Sequence, residues 1–172
     1  MDKLDKLLKL AHDENIIIHY TDYIPGNLGG LYVEIPGLGP VINILNSIKN
    51  NKKEFTEVLA EEIGHYFTSI GDSISKVNSY TDKLNILRCE NKANKWACEF
   101  LIREDELIDA LNKNINCIHD LAEYLDVDVE ILLKRLEYLA LQKPTLRISD
   151  TKQLVLTNLP NIYFYEDICT YL

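Results

Sequence analysis

Residues 58–67 read Val58-Leu59-Ala60-Glu61-Glu62-Ile63-Gly64-His65-Tyr66-Phe67, and this stretch decides the fold. Its apolar residues recur at helical spacing and predict one amphipathic helix from Lys52 to about Ile70. Side chains four residues apart lie on the same face of a helix, so Glu61 and His65 can reach one ion. The pattern resembles the metal-binding motif H-E-x-x-H, with a glutamate in place of the first histidine.

The neighbouring residues complete a candidate metal site. Glu62 is rotated by about 100° from Glu61 around the helix, where a general base that activates a water molecule belongs. A catalytic zinc site needs a third protein ligand, and Glu90 stands at the start of the next strong helix, predicted over residues 88–102. Gly64 in mid-helix costs about 1 kcal/mol relative to alanine and indicates that another backbone passes close by. The alternative is a solvated helix face with a weak Glu61–His65 ion pair.

The rest of the chain predicts an α+β fold. A helix over residues 2–14 precedes strands at 16–20, 31–35 and 41–45, which we expect to be antiparallel neighbours because their loops are short. Residues 73–87 are polar and predict a loop. A helix, a tight turn and a second helix follow at 118–141, and the tail predicts a hairpin. We therefore expect a domain over residues 1–113, a helix-turn-helix-like segment over 114–143 and a C-terminal tail over 144–172.

Composition and charge exclude several classes of protein. With 47% hydrophobic and 26% charged residues, the chain can bury a core, and no apolar run is long enough to cross a membrane. There is no signal-peptide pattern, and the four cysteines lack C-x-x-C spacing, so we expect a cytoplasmic protein with reduced thiols. A net charge of −9 argues against nucleic-acid binding. The helix-turn-helix-like segment carries Asp126, Asp128 and Glu130 where phosphates would repel them.

Three blocks of sequence resemble the ImmA/IrrE family of metallo-endopeptidases. Residues 60–66, A-E-E-I-G-H-Y, are similar to the family pattern A-H-E-[LI]-G-H. Residues 90–102, E-N-K-A-N-K-W-A-C-E-F-L-I, are similar to its block E-x-x-A-N-x-F-A-x-x-L-L, and residues 120–136 resemble its downstream pair of helices. The resemblance covers about residues 4 to 140, and the first two blocks together are the specific part of it.

The resemblance implies a zincin-like fold and a zinc site. Glu61, His65 and Glu90 would be the metal ligands, and Glu62 would be the catalytic base. In phages and mobile elements, members of this family relieve repression by acting on a helix-turn-helix repressor. The resemblance therefore implies a protein partner of that kind, with no direct nucleic-acid contact and no membrane. The alternative is a regulatory binding module, an anti-repressor that keeps the fold and has lost turnover.

The departure from the family pattern is Glu61, which stands where the family has histidine. Two glutamates and one histidine leave a Zn²⁺ site with a net charge near zero, about one unit less than a site with two histidines. A less positive site acidifies a water molecule less, so we expect slower catalysis. More oxygen ligands also shift the preference toward harder metals, which makes Mn²⁺ the alternative to Zn²⁺.

Overall fold

The computed structural model describes residues 2–68 and 80–166, which group into two compact units, Met1–Ala97 and Cys98–Leu172. The first unit contains α1 (Lys3–Asp13), β1 (Ile17–Thr21), β2 (Gly30–Ile35), β3 (Gly39–Leu45) and α2 (Lys52–Thr68). Helix α3 (Tyr80–Leu101) has residues in both units. The second contains α4 (Glu104–Asn112), α5 (Ile118–Tyr124), α6 (Val129–Ala140), β4 (Thr145–Arg147), β5 (Lys152–Val155) and β6 (Tyr163–Glu166). The fold is α+β, as predicted.

The first sheet is mixed, so the expectation of antiparallel neighbours was wrong for its first strand. The strand order is β1-β3-β2, with β1 parallel to β3 and β2 antiparallel to β3. The segment between β1 and β2 includes a short 3-10 turn at Pro25–Asn27, and it is long enough to carry the chain across to the far side of β3. The short turn between β2 and β3 does form the predicted hairpin. Strand β2 thus lies at an edge of the sheet.

Helix α2 packs against this sheet and begins at a side-chain cap. Asn51 accepts a hydrogen bond from the backbone N–H of Glu54 and donates one to the carboxylate of Glu54. This reciprocal pair gives a hydrogen-bond partner to a backbone N–H at the start of the helix. The helix then buries Phe55, Leu59 and Ile63 with the apolar residues of β3 and α1. The predicted end of this helix near Ile70 and Gly71 lies outside the described residues.

Helix α3 is longer than the sequence indicated. It starts at Tyr80, so the loop predicted for residues 73–87 was wrong over residues 80–87, while 73–79 lie outside the described part of the chain. Its buried positions are small or aliphatic, whereas Trp96 and Phe100, whose helical spacing is typical of core residues, are only half-buried. The indole of Trp96 stacks on the ring of Phe67, with the ring centroids 5.3 Å apart.

The second unit contains the predicted pair of helices, α5 and α6, joined by a tight turn in which Asp126 has a φ of 50°. Arg135 of α6 is only 5% exposed and donates from Nε to the carbonyl oxygen of Ile102. Lys134 pairs with Glu130 at 3.1 Å. One of the two basic side chains of α6 is therefore buried, and the other lies in an ion pair on the surface of the helix.

The C-terminal strands form a three-stranded sheet in the order β4-β5-β6. The predicted hairpin corresponds to β4 and β5, and part of the apolar tail supplies β6; residues 167–172 lie outside the described residues. The three-part division at residues 113 and 143 stays a prediction. Cys89, Cys98 and Cys117 form no disulfide bond with one another, and Cys169 lies outside the described residues. Across the described ranges, no helix is both long and apolar enough to span a membrane.

Candidate metal centre

The site forms where the backbones of α2 and α3 come unusually close. A Cβ atom placed on Gly64 would lie 2.5 Å from the carbonyl oxygen of Ala93, a distance that real side chains do not tolerate. The close approach predicted from this mid-helix glycine is thus present, and the partner is α3. Because the two helices touch here, side chains one turn away on each helix can converge on one point.

Glu61, His65 and Glu90 are the side chains that converge. Each offers one ligand atom, and these atoms all lie within 4.8 Å of one another. The imidazole Nε2 of His65 lies 3.4 Å from Oε2 of Glu90. Two ligands on bonds of about 2.1 Å at a tetrahedral angle are separated by about 3.4 Å, so this pair already has the spacing of two zinc ligands.

The chemistry of the donors also suits a divalent metal. Two carboxylates and one imidazole form a set that Zn²⁺ and Mn²⁺ both accept. Three protein ligands leave an open position, as catalytic zinc sites do. The residues therefore fit the ion that the sequence suggested.

Charge within the trio favours an ion pair in the metal-free protein. Burial lowers the pKa of His65, but the hydrogen bond to Glu90 and the charges of Glu62, Glu90 and Glu61 outweigh it and raise the pKa. The hydrogen bond from His65 lowers the pKa of Glu90. A metal ion competes with a proton for His65, so metal affinity should rise with pH through the titration of this histidine.

Glu62 lies in a different environment from its neighbour Glu61. It is 8% exposed, and its Oε2 accepts a hydrogen bond of 2.7 Å from the backbone N–H of Tyr32 in β2. Burial raises the pKa of Glu62 to about 7, while the charge of His65 and the hydrogen bond from Tyr32 act in the opposite direction. A carboxylate with a pKa near neutral can both accept and return a proton, which suits a general base.

Two features of the site were not identified from the sequence. Asn94 donates from Nδ2 to Oε1 of Glu61 at 3.0 Å; its position one turn after Glu90 was the available signal. Gly30 reads in the sequence only as part of a turn cluster, yet a Cβ there would lie 2.7 Å from Cγ of Glu62 and from Cγ1 of Val58. The absence of a side chain at Gly30 is what allows β2 to reach Glu62.

A cleft of about 270 Å³ exposes the trio to solvent. The first residues of β2, several residues of α2 and Glu90 of α3 line it. Its lining residues are Leu28, Gly29, Gly30, Leu31, Tyr32, Val58, Glu61, Glu62, His65 and Glu90.

The tyrosines beside the cleft already have partners. The hydroxyl of Tyr32 donates to Glu34, and that of Tyr66 donates to Glu14, each at 3.0 Å. Burial, followed by the bond to Glu34, raises the pKa of Tyr32 to about 12, so this hydroxyl stays protonated at neutral pH.

Comparison with known proteins identifies the family of the chain. The family model described as the IrrE N-terminal-like domain, a peptidase family, matches residues 11–137. No protein of curated function matches the sequence. Among solved structures, the chain is similar to a Mycobacterium tuberculosis transcriptional regulator, with a TM-score of 0.59 and 20% sequence identity; the match covers 89% of this chain.

That structural likeness shows the fold alone, because the identity is low, and this chain matches only 45% of the length of the regulator. The family match carries more weight, since it spans most of the chain and includes the trio and Glu62. It confirms the family resemblance seen in the sequence blocks. The chain belongs to the IrrE N-terminal-like domain family of peptidases.

Proposed function

We propose that this protein is a metal-dependent endopeptidase of ImmA/IrrE type that acts on a helix-turn-helix repressor of a phage or mobile element. The observation that carries the proposal is one cluster: three ligand atoms within 4.8 Å of one another, beside a buried glutamate with a pKa of about 7. Glu61, His65 and Glu90 would hold Zn²⁺, with Mn²⁺ as the alternative metal.

The protein's own residues account for the proton transfers. When bound in such a site, the metal polarises the scissile carbonyl and lowers the pKa of the attacking water. Glu62 accepts the proton from that water and later delivers it to the leaving amine. The Tyr32 N–H holds one oxygen of Glu62 in place, so the other oxygen is available for this exchange. Glu90 lines the cleft and is about half-exposed.

The proposed partner follows from charge as well as family. A DNA-binding repressor presents a basic surface, and this chain carries a net charge of −9. Opposite charges accelerate the encounter of two proteins. The same negative charge on this chain opposes binding to nucleic acid, whose phosphates are also negative.

Metal analysis of the purified protein tests the site directly. We expect about one Zn²⁺ or Mn²⁺ per chain after reconstitution, and loss of that metal in a His65→Ala variant. An exposed histidine on α1, His12, offers a matched control, because His12→Ala should leave the metal content unchanged. Substoichiometric metal in the reconstituted wild-type protein would exclude the ligand assignment.

A second function is favoured by Glu61. A nearly neutral metal site is a weak activator of water, which suits a binding module that holds a repressor without cleaving it. Glu62→Gln separates the two functions, because it removes the proton acceptor and keeps the side-chain shape. In a derepression assay, the enzyme loses activity by about 10²- to 10⁴-fold. A binding module keeps it.

A further inference from the structure

Asn94 lies one helical turn after Glu90 and joins the two helices of the metal centre. Its Nδ2 donates to Oε1 of Glu61 at 3.0 Å and to the backbone carbonyl oxygen of Glu90, also at 3.0 Å. Both partners are acceptors only, so the nitrogen of the amide, and not its oxygen, must face them. The orientation of this amide is therefore determined by its surroundings.

We propose that Asn94 is a positioning residue that sets the metal affinity and metal selectivity of the site through Glu61. This inference rests on the proposed metal site. The carboxylate of Glu61 stands where the family pattern has an imidazole, and an amide N–H on α3 orients it.

The hydrogen bond restricts how Glu61 can bind an ion. A carboxylate oxygen that already accepts an amide hydrogen bond is a poorer metal ligand, which leaves the second oxygen as the preferred donor. Binding through one oxygen favours the four-coordinate geometry of Zn²⁺. Binding through two oxygens would raise the coordination number and favour Mn²⁺. Asn94 should therefore shift the balance between the two metals toward Zn²⁺.

The amide of Asn94 donates a hydrogen bond to Glu61, whereas an ionised carboxylate can only accept one, so Asn94→Asp tests the role of the donor. With Glu61 in place, Asn94→Asp puts two carboxylates side by side and removes the donor. With histidine at position 61, the same aspartate could accept the imidazole N–H, as carboxylates commonly do behind metal-bound histidines. The effect of Asn94→Asp should therefore reverse in sign when Glu61→His is present.

The experiment measures dissociation constants for Zn²⁺ and Mn²⁺ by competition with a chromophoric chelator. The proteins are the wild type, Asn94→Ala, Asn94→Asp, Glu61→His and the double variant Glu61→His with Asn94→Asp. The control is Asn91→Ala, which removes an exposed asparagine from the same helix. Thermal unfolding of each metal-free protein verifies that it is folded.

We expect Asn94→Ala to weaken Zn²⁺ binding about 10- to 100-fold and to lower the ratio of Zn²⁺ to Mn²⁺ affinity. Asn94→Asp should weaken Zn²⁺ binding in the wild-type background and tighten it by about tenfold in the Glu61→His background. Equal losses in both backgrounds would mean that Asn94 has only a structural role, and the inference would be wrong. A wild-type protein that binds neither metal would instead refute the proposed function itself.

Discussion

The consecutive residues Glu61 and Glu62 lie on different sides of helix α2 and differ in burial and in hydrogen-bond donor. On the side of α3, Glu61 is half-buried and accepts its hydrogen bond from the side chain of Asn94. On the side of β2, Glu62 is buried and accepts from the backbone N–H of Tyr32. The same chemical group thus becomes a candidate ligand in one place and a candidate base in the other. The difference comes from the element that each glutamate meets.

Removing the charge from each glutamate in turn is the most direct test of whether Glu61 and Glu62 have separate roles. We expect Glu61→Gln to weaken Zn²⁺ binding by more than about 100-fold, beyond the usual loss for residues that only support a ligand. Glu62→Gln should change Zn²⁺ affinity by no more than a few-fold. Chelator competition on the two variants measures both, and each serves as the control for the other. Similar losses in both would show that the two roles are not separate.

The close approach at Gly64 is the feature on which the α3 side depends. Alanine there gains about 1 kcal/mol of helix propensity, but its Cβ would clash with the backbone of Ala93. We expect a net destabilisation of about 2 kcal/mol, the typical cost of overpacking, together with weaker Zn²⁺ binding. Thermal and urea unfolding give the first quantity and chelator competition the second.

A control substitution belongs in open space. A Cβ atom placed on Gly37 would have no neighbouring atom within 4 Å. The φ of +82° at this residue strains any side chain, and asparagine is one of the residues that enter this region most readily. Gly37→Asn should therefore leave Zn²⁺ affinity unchanged. A Gly64→Ala protein with wild-type stability would mean that α2 and α3 separate at no cost.

The α3 side of the site was predictable from the sequence, whereas the β2 side was not. Helical spacing placed Glu61 and His65 on one face. The helix-propensity cost of Gly64 indicated a close backbone, so both inferences depend on local sequence. The contact between β2 and Glu62 joins residues 30 positions apart, and no periodicity encodes it. It follows from the sheet order β1-β3-β2, which was predicted incorrectly because a short loop was taken to mean neighbouring strands.

The pH dependence of folding stability offers a separate test of the environment of Glu62. Burial raises the pKa of Glu62 from an ordinary 4.5 to about 7 in the folded state. Between pH 4.5 and about 7, Glu62 holds a proton more often in the folded protein than in the unfolded chain. The contribution of Glu62 to stability therefore falls as the pH rises through this range. Above pH 7 the folded state holds a buried charge that glutamine lacks.

Glu62→Gln should therefore stabilise the metal-free protein at pH 8 by on the order of 1–2 kcal/mol. This is less than the full pKa shift implies, because the glutamine amide still needs a hydrogen-bond partner. The gain should disappear below about pH 4.5, where Glu62 is protonated in both states. Urea unfolding of wild type and variant across pH 4 to 8 measures it. A constant difference across that range would show that Glu62 titrates normally.

The smallest effect is expected from the glycines that let β2 reach α2. A Cβ on Gly30 would lie 2.7 Å from Cγ of Glu62, whereas a Cβ on Gly29 would meet only aliphatic side-chain atoms, the nearest being Cγ2 of Val58 at 2.9 Å. Gly30→Ala must therefore displace the proposed base and stretch its bond to the Tyr32 N–H. Gly29→Ala needs only a rotation or small shift of Val58, so it is a matched control one residue away.

We expect Gly30→Ala to lower kcat for repressor cleavage by about tenfold, because misplacing a catalytic group by a fraction of an ångström has effects of this size or larger. Zn²⁺ affinity should stay within a few-fold of wild type in both variants, since the atoms nearest to either added Cβ do not belong to the three proposed metal ligands. Gly29→Ala should retain most of the activity. Loss of Zn²⁺ binding in Gly30→Ala would instead mean that a displacement on the β2 side of α2 also displaces the proposed metal ligands. The separation between ligand and base would then be wrong.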